Sequence, residues 1–569
     1  MLIKRGEVKD RTEAAGTGFF GRLQQGYDRL LTAIAPQTAA RNMHARFQME
    51  AAAEFFGGAG GGYDAADRSS RDMGSWSPFP TDADSSMLGN EDIRSRARDA
   101  VRNQPLAGGL INTTVMNTVG VGLTLQSRID RELLNMSDEQ ADTWQKHTER
   151  RWKLWAGSKD CDIRRTLNFN GHTQLALRAQ CINGEALTLL PIVPLAGLSN
   201  PLRLQAVEAD RLSNPSQASD SPTCTQGIDR DAYGAPIAYN ITRTHPGNVR
   251  YADPNNWIWD KYAAFNPKTG LPNVIHYFSQ ERADQSRGLS MIAPIMEPLK
   301  DIARMSKAEL KRAVVSALFT VFIKSNGQPM ANMPFAPGAT QYPGMSVASG
   351  AGDKESAATT GNIRLGYGSI IGLDQNQEIQ EAKPNLPNPN FDPFFQSCVR
   401  QIGLQVGIPY EVLIKHYTAS YSAARAAIED AWAFFTSKRA HLVENHCFPI
   451  FSVWMAQEVA QGTIYAPGFF ADPMIRAAWL GCEFTGPTKP ILDPVKEANA
   501  IKLRSDLAIT TLTQETAAAN GGDWESNVVQ RGREQKMLDR AGLLPDSTAP
   551  APVQEEPEPR QNQDLPEAA

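Results

Sequence analysis

The sequence predicts an α+β protein in which a pair of helices leaves a mixed body and returns to it. Three observations carry the prediction. Between 184 and 280, four short β-branched or alternating runs (186–190, 202–207, 237–242 and 273–278) are separated by turn residues, the pattern of half-buried strands. From 290 to 324 the period changes: Leu299, Ile302, Ser306, Leu310, Val314, Ala317 and Val321 recur three or four residues apart. That is a helix about 50 Å long at about 1.5 Å per residue. A second helix, 391–406, follows only after a Pro- and Gly-rich stretch that holds one β-forming segment, 362–373. A compact enzyme rarely needs such an excursion. A ring subunit does, because neighbouring helix pairs cover one another's apolar faces.

The remaining elements follow in order. Residues 1–89 are expected to be flexible, because short helical stretches such as 19–34 alternate with Gly57–Gly62 and a Ser/Asp/Pro-rich run at 69–86. A helix begins near Glu91 with Ile93, Ala97, Ala100 and Val101 on one face and Arg94, Arg98 and Arg102 opposite, until Pro105 interrupts it. An apolar segment, 110–119, runs to Gly120-Val-Gly122. Ser137 followed by Gln140 reads as the cap of a helix ending near Trp155. An Ala-rich helix starts at Tyr421 and runs to His446, where Pro449 must kink or end it. Helical pattern continues at 451–461, 494–512 and 524–538, and the Pro/Glu tail after 544 is expected to be disordered.

Composition narrows the function classes. At 569 residues the chain exceeds one hydrophobic core, and its 41% apolar and 21% charged residues are those of a soluble globular protein. The six cysteines are scattered without a C-x-x-C pair, as expected of free thiols in a reducing compartment. No secretory h-region opens the chain, and the longest apolar run, 313–323, is about half of a membrane span. The tail from 544 carries six acids against Arg560, which equals the net charge of −5 of the whole chain. The body is therefore neutral. A protein that grips DNA tightly through counterion release would carry a cationic surplus; neutrality excludes neither a local basic patch nor a channel that DNA passes without sticking.

Catalytic constellations are missing. There is no G-x-x-x-x-G-K-[ST], no G-x-S-x-G and no H-E-x-x-H. His441, Glu444, His446 and Cys447 form the nearest metal-like group, but on a helix His446 points away from His441 and Glu444, so no metal site is expected. Gly57–Gly62 has neither a preceding strand nor a following Lys and reads as a linker. No cofactor and no enzymatic activity are expected.

Several segments, in order, carry a resemblance. Arg98-Asp-Ala-Val-Arg-Asn-Gln-Pro-Leu106 precedes Asn117-Thr-Val-Gly-Val-Gly-Leu123; Val207-Glu-Ala-Asp-Arg-Leu212 precedes Gly227-Ile-Asp-Arg-Asp-Ala-Tyr-Gly-Ala-Pro236. Ile275-His-Tyr-Phe278 and Gln285-Ser-Arg-Gly-Leu-Ser-Met-Ile-Ala-Pro294 come next. Val406-Gly-Ile-Pro-Tyr-Glu411, Tyr421-Ser-Ala-Ala-Arg-Ala-Ala427 and 487–496 complete the series. Together, over 92–538, they resemble the lambda-type family of phage portal proteins. Ser420, where relatives often have Asn, and Leu365-Gly-Tyr-Gly368, in place of a Pro-Gly turn, depart from its pattern.

The resemblance implies a ring, usually of twelve copies, at one capsid vertex of the virion, through which double-stranded DNA passes without sequence preference. It implies a wing at 90–289, stem helices at 290–324 and 391–406 and a clip at 325–390. A tunnel loop at 407–420, a spine helix with completion of the wing at 421–493 and a helical crown at 494–544 follow, before the acidic tail. The implied partners are the large terminase, the major capsid protein and head–tail connector proteins, with no membrane and assembly in the bacterial cytoplasm. Ile408, Pro409, Tyr410, Lys415, His416 and Tyr417 are the candidates for channel contact, the alternative being an interhelical loop packed on its own subunit. Arg304, Lys307, Lys311 and Arg425 are inter-subunit candidates, although Arg425 could equally be solvated. Trp432, Phe434 and Phe435 suit a core or subunit interface, since duplex bases are already stacked. A tail or baseplate ring without a channel is the alternative function; a vertex nuclease would need clustered acids for divalent metal.

Overall fold

The computed structural model describes residues 75–543 apart from 77, 79, 195–196, 199, 249–256, 319–321, 326–376, 381–389, 418–419 and 492. The chain divides into Met1–Asp82 and Ala83–Ala569, and the elements below belong to the second unit. Residues 1–74 of the expected flexible region, the β segment at 362–373 and the acidic tail lie outside the described residues, whereas 83–89, also expected to be flexible, are packed: Ser85–Met87 form a 3-10 turn, Met87 is buried and Asp84 accepts from the Ser286 N–H at 2.7 Å.

Helices α1 (Asn90–Asn103) and α2 (Pro105–Thr118) are separated where expected, with Pro105 in the first turn of α2, a position where its missing N–H costs nothing. Helix α3 (Asp138–Gly157) opens with the full capping box of Ser137 and Gln140. Helix α4 (Phe169–Asn183) ends at Gly184, whose φ of +91° and backbone contact with Gly288 exclude a side chain.

Strands β2 (Glu185–Leu189), β3 (Gln205–Val207) and β8 (Val274–Phe278) form an antiparallel sheet in the order β3-β2-β8. A second sheet runs β4 (Cys224–Thr225), β5 (Ile228–Arg230), β6 (Pro236–Thr242), β7 (Trp259–Ala263). Leu187, Leu189, Val207, Ile228, Tyr239 and Ile241 share one core between the sheets. A short pair, β1 (Thr124–Ser127) with β11 (Cys482–Thr485), ties the two ends of the fold together.

The main core is aromatic. Trp152 of α3 meets Phe169 of α4 at 4.9 Å between ring centroids, and meets Trp454 and Phe451 at 5.2 and 5.5 Å, all edge-on. Each such pair adds about 0.5–1.5 kcal/mol beyond the area it buries. Trp454 and Phe451 belong to α9 (Phe448–Ala460), so late sequence closes over early sequence.

The first excursion helix, α5 (Met296–Leu318), is shorter than the expected 290–324. A 3-10 turn, Ala293–Ile295, precedes it, and the chain beyond turns to strand, β9 (Phe322–Ser325), paired antiparallel with β10 (Gln377–Gln380). Pro294 and Pro298 confine the helix start, and the aromatic and β-branched run Phe322-Ile323 prefers extended backbone. The return helix, α6 (Phe391–Val406), stops at Gly407, with φ +80°. A short helix α7 (Tyr410–Ile414) follows, then α8 (Tyr421–Leu442), capped by Ser420. Rather than ending, α8 passes through a π turn, Val443–Cys447, directly into α9, and Pro449, the second residue of α9, removes one helical N–H donor at that junction.

Helix α10 (Pro473–Trp479) precedes β11, and three helices follow: α11 (Pro494–Asp506), α12 (Leu512–Asn520) and α13 (Trp524–Arg540). None of these last three contains a buried residue. No described helix is long and apolar enough to cross a membrane.

Candidate channel loop and subunit surfaces

The segment after α6 is more ordered than a loop. Gly407 adopts φ +80°, and a Cβ there would come within 3.1 Å of the Phe434 ring; Ile408 N–H donates to the Gly403 carbonyl at 3.0 Å. Ile408 is fully buried among core residues of its own subunit. Its apolar side chain belongs to the same buried cluster as Val406 and Val412, which a sequence window read as a loop does not reveal. Pro409 caps α7 and is half-buried; Tyr410 is half-buried with the Arg400 guanidinium 5.4 Å above its ring. Lys415 ends α7 in the left-handed region at φ +56°, and Lys415, His416 and Tyr417 are exposed. Of the six candidates, Lys415, His416 and Tyr417 are exposed, Pro409 and Tyr410 are half-buried and Ile408 is buried.

The inter-subunit candidates separate similarly. Arg304 is exposed, with Asp301 at 3.4 Å one turn back, while Lys307 and Lys311 are exposed on the same helix. Arg425, exposed on α8, pairs with Glu429 at 3.1 Å, and Glu429 also takes Lys489 at 2.8 Å. Phe435 is buried, and Trp432 and Phe434 pack partly buried against the same core. His446 is fully buried, and burial holds its imidazole down at about 3; Glu444 is exposed. Among the described residues no group of three or more His, Cys, Asp or Glu could hold a metal.

What sequence reasoning missed is a buried ionic cluster on which the resembling segments converge. Glu185, fully buried at the head of β2, receives Arg287 Nε on both oxygens at 2.8 Å, His276 Nε2 at 2.8 Å and the Gly288 N–H at 3.3 Å. Arg287 Nη2 also donates to Glu185, and Arg287 further donates to the carbonyls of Leu212, Gln226 and Ala209. Arg94 of α1 lies 3.6 Å from Glu185 and bonds Asp210 at 2.8 Å, beside Arg98, which is paired with the same Asp210.

Burial alone would push the Glu185 carboxyl up, but the Arg287 charge and the hydrogen bonds from His276 and Arg287 hold it well below the usual carboxylate range. Burial likewise raises Asp210, and Arg94 and Arg98 outweigh it. Asn90 Nδ2 donates to the Gly288 carbonyl at 3.1 Å, so the chain that leads into α5 is gripped on both sides. The available signal was a glutamate heading an otherwise apolar strand, Glu185-Ala-Leu-Thr-Leu189.

A second junction lies where Arg439 of α8 donates to the carbonyls of Thr118 at 2.8 Å, Asn117 at 3.1 Å and Pro487 at 2.7 Å. It satisfies the end of α2, where carbonyls lack helical partners, and fastens the segment after β11. A cleft of about 910 Å³ opens between α8, residues 482–491 and helices α11 and α12, of mixed polarity, with Arg425, Arg439 and Arg504 on its wall.

An α+β body, a helix pair and three terminal helices without buried residues make up the described fold. The comparisons with known proteins then name the family. The family described as "Phage portal protein, lambda family" matches residues 69–439. The chain belongs to the lambda family of phage portal proteins. It is similar to portal protein B of Escherichia phage lambda, 25% identical over 485 residues that cover 84% of this chain and 90% of that one. It is also similar to the portal protein of Escherichia phage N15, 25% identical over 489 residues with the same coverage. Among solved structures it resembles the neck of an empty gene transfer agent particle, with a TM-score of 0.41 and 15% identity, over 78% of this chain and 96% of that one.

Proposed function

We propose that the chain assembles into a closed ring, of twelve copies, at the unique capsid vertex, and that double-stranded DNA is packaged and ejected through its centre. The observation that carries this reading is apolar surface without a cover in one copy. On the helix pair Leu310, Val314, Phe394 and Leu404 are 66%, 53%, 52% and 85% exposed, and α11–α13 bury no residue. Isolated helices of this length are marginal in water, so such faces call for neighbours, and a closed ring supplies an identical one to every copy.

On this reading α5 and α6 are the stem, and the module between them, with β9 and β10, is the clip that docks the large terminase and later the head–tail connector proteins. Residues 90–289, completed by α9 and β11, are the wing facing the major capsid protein; α8 is the spine, and α11–α13 the crown. Lys415, His416 and Tyr417 reach the channel from the segment after α7. The protein resides in the virion after assembly in the host cytoplasm and acts without catalysis of its own.

Electron microscopy of the purified protein tests the reading. A ring with a central hole wide enough for a duplex is the expected image; rings closed at the centre favour a tail or baseplate component instead. Magnesium-dependent cleavage of plasmid DNA by the pure protein would overturn the non-enzymatic part.

A further inference from the structure

At the base of the helix pair, charges stand unanswered on two different faces. One face holds a hollow of about 290 Å³ where α6 ends, framed by Arg400 and Leu404 of α6, by Pro409, Tyr410 and Glu411, and by Asp430 of α8. Leu404 on its rim is 85% exposed. Arg400 is engaged by the Tyr410 ring and by Gln396 Oε1 at 3.4 Å. Half-buried Glu411 and exposed Asp430 have no ion-pair partner among the described residues.

The other face belongs to α5, where Lys300 is exposed and likewise has no ion-pair partner among the described residues. The acids of α5 itself do not supply one. Asp301 lies 3.4 Å from Arg304, and Glu309 lies 3.6 Å from Arg312. Glu297 sits about 60° from Lys300 around the helix. A closed ring joins two different faces of each copy, so Glu297 faces the same neighbour as Lys300 does and cannot be its partner across the contact.

Symmetry selects what can. Rotation about the ring axis leaves a residue's height unchanged, so on a stem that runs along that axis Lys300 meets what the neighbour presents at its own level. Helix α5 starts, and α6 ends, in one shared core through Leu299 and Ile302 on the first and Ile402 and Val406 on the second. Lys300 stands about 6 Å along α5, and Leu404 about 3 Å before the end of α6. Lys307 and Lys311, about 16 and 22 Å along α5, stand too far out. Lys300 and Leu404 are each about 160° around their helix from the buried Ile302 and Ile402, so both lie on outer faces of the pair.

We infer that Lys300 of one copy enters the hollow of the next copy, its ammonium between Glu411 and Asp430 and its methylene stem across Leu404; this rests on the portal reading above. The stem of a lysine covers apolar surface while its head keeps to polar groups, which suits a hollow with an apolar rim and an acidic wall. Two carboxylates beside the engaged Arg400 leave room for one added cation.

The test uses two full-length variants. The first carries Lys300→Glu; the second carries Glu411→Gln with Asp430→Lys. Alone, each sets like charges against one another at every contact, which weakens a contact by about tenfold or more. Mass photometry should show each variant failing to close rings at concentrations where the parent closes them. Mixed in equal amounts, the two can alternate around a ring, and every contact again joins opposite charges. Rings should return in the mixture. A charge that acts only within its own subunit cannot be rescued by mixing. Rings formed by either variant alone as readily as by the parent would overturn the inference, as would a mixture that stays dispersed. The neutral changes Lys300→Gln and Asp430→Asn, singly and combined, give a second reading that survives misfolding of the swapped chains. The double variant should assemble no worse than the poorer single one, and independent, additive losses would also overturn the inference. A parent protein that forms no ring refutes the portal reading itself.

Discussion

The guanidinium of Arg287 spans the carboxylate of Glu185, its Nε 2.8 Å from each carboxylate oxygen, although 102 residues separate the two. Both side chains are almost wholly buried, at 3% and 0% exposure. The pair joins β2 to the residues that lead into α5, so it fixes where the stem leaves the body. Removing one member of such a pair leaves an uncompensated buried charge.

Glu185→Gln should therefore destabilise the fold by about 3–5 kcal/mol at neutral pH. Because the folded carboxyl titrates far below its ordinary value of about 4.3, its stabilising contribution is present above that value. It is lost as pH falls through the unfolded value towards the folded one. Urea denaturation of parent and variant should show the gap unchanged from pH 7 to about pH 5 and narrowing progressively as pH falls below about 4. A gap that is constant with pH would mean that the ion pair contributes no stability of its own.

Arg439→Ala should loosen a specific place. Three carbonyls, on Asn117, Thr118 and Pro487, lose a charged donor, at a cost of about 2–3 kcal/mol. Hydrogen exchange should report faster exchange in 117–123 and 486–490, with the protection of the Trp152 cluster retained. Uniform loss of protection would instead make Arg439 a global core residue.

Much of the architecture was readable because it rests on local signals. The Ser137 cap, Pro105 and the glycine after Val406 all stand where the structure uses them. What was not readable depends on distance in sequence. Strands β1 and β11 pair Thr124 with Thr485, and each is only four residues long, too short for a pattern. The Glu185 cluster draws on α1, β2, β8, Asp210 and Arg287, and no periodicity links them. Helix α12 was legible but unread: Thr511 followed by Gln514 is a full capping box, and Ala508 at φ +54° breaks the helix that sequence periodicity ran on to 512.

In the loop region, Ile408 looked like its exposed neighbours because its burial comes from helix packing rather than from its own window. The same distinction sets the next expectation. Lys415→Ala, at an exposed position, should leave assembly intact and lower the amount or retention of nuclease-protected DNA per head. Ala431→Asp, at a position 1% exposed in α8, should block folding, since a buried unpaired carboxylate costs several kcal/mol. Ala427 in the same helix is only half-buried and should tolerate the change better. Rings abolished by Lys415→Ala and unaffected by Ala431→Asp would reverse the placing of loop and helix.

The central claim is that uncovered helix faces are covered by further copies of this chain in a closed ring. Mass photometry of the purified protein tests it most directly. One sharp species about twelvefold heavier than the 62.3 kDa chain, unchanged across a range of concentration and salt, is the predicted result. A monomer or dimer as the heaviest species under every condition would contradict the account.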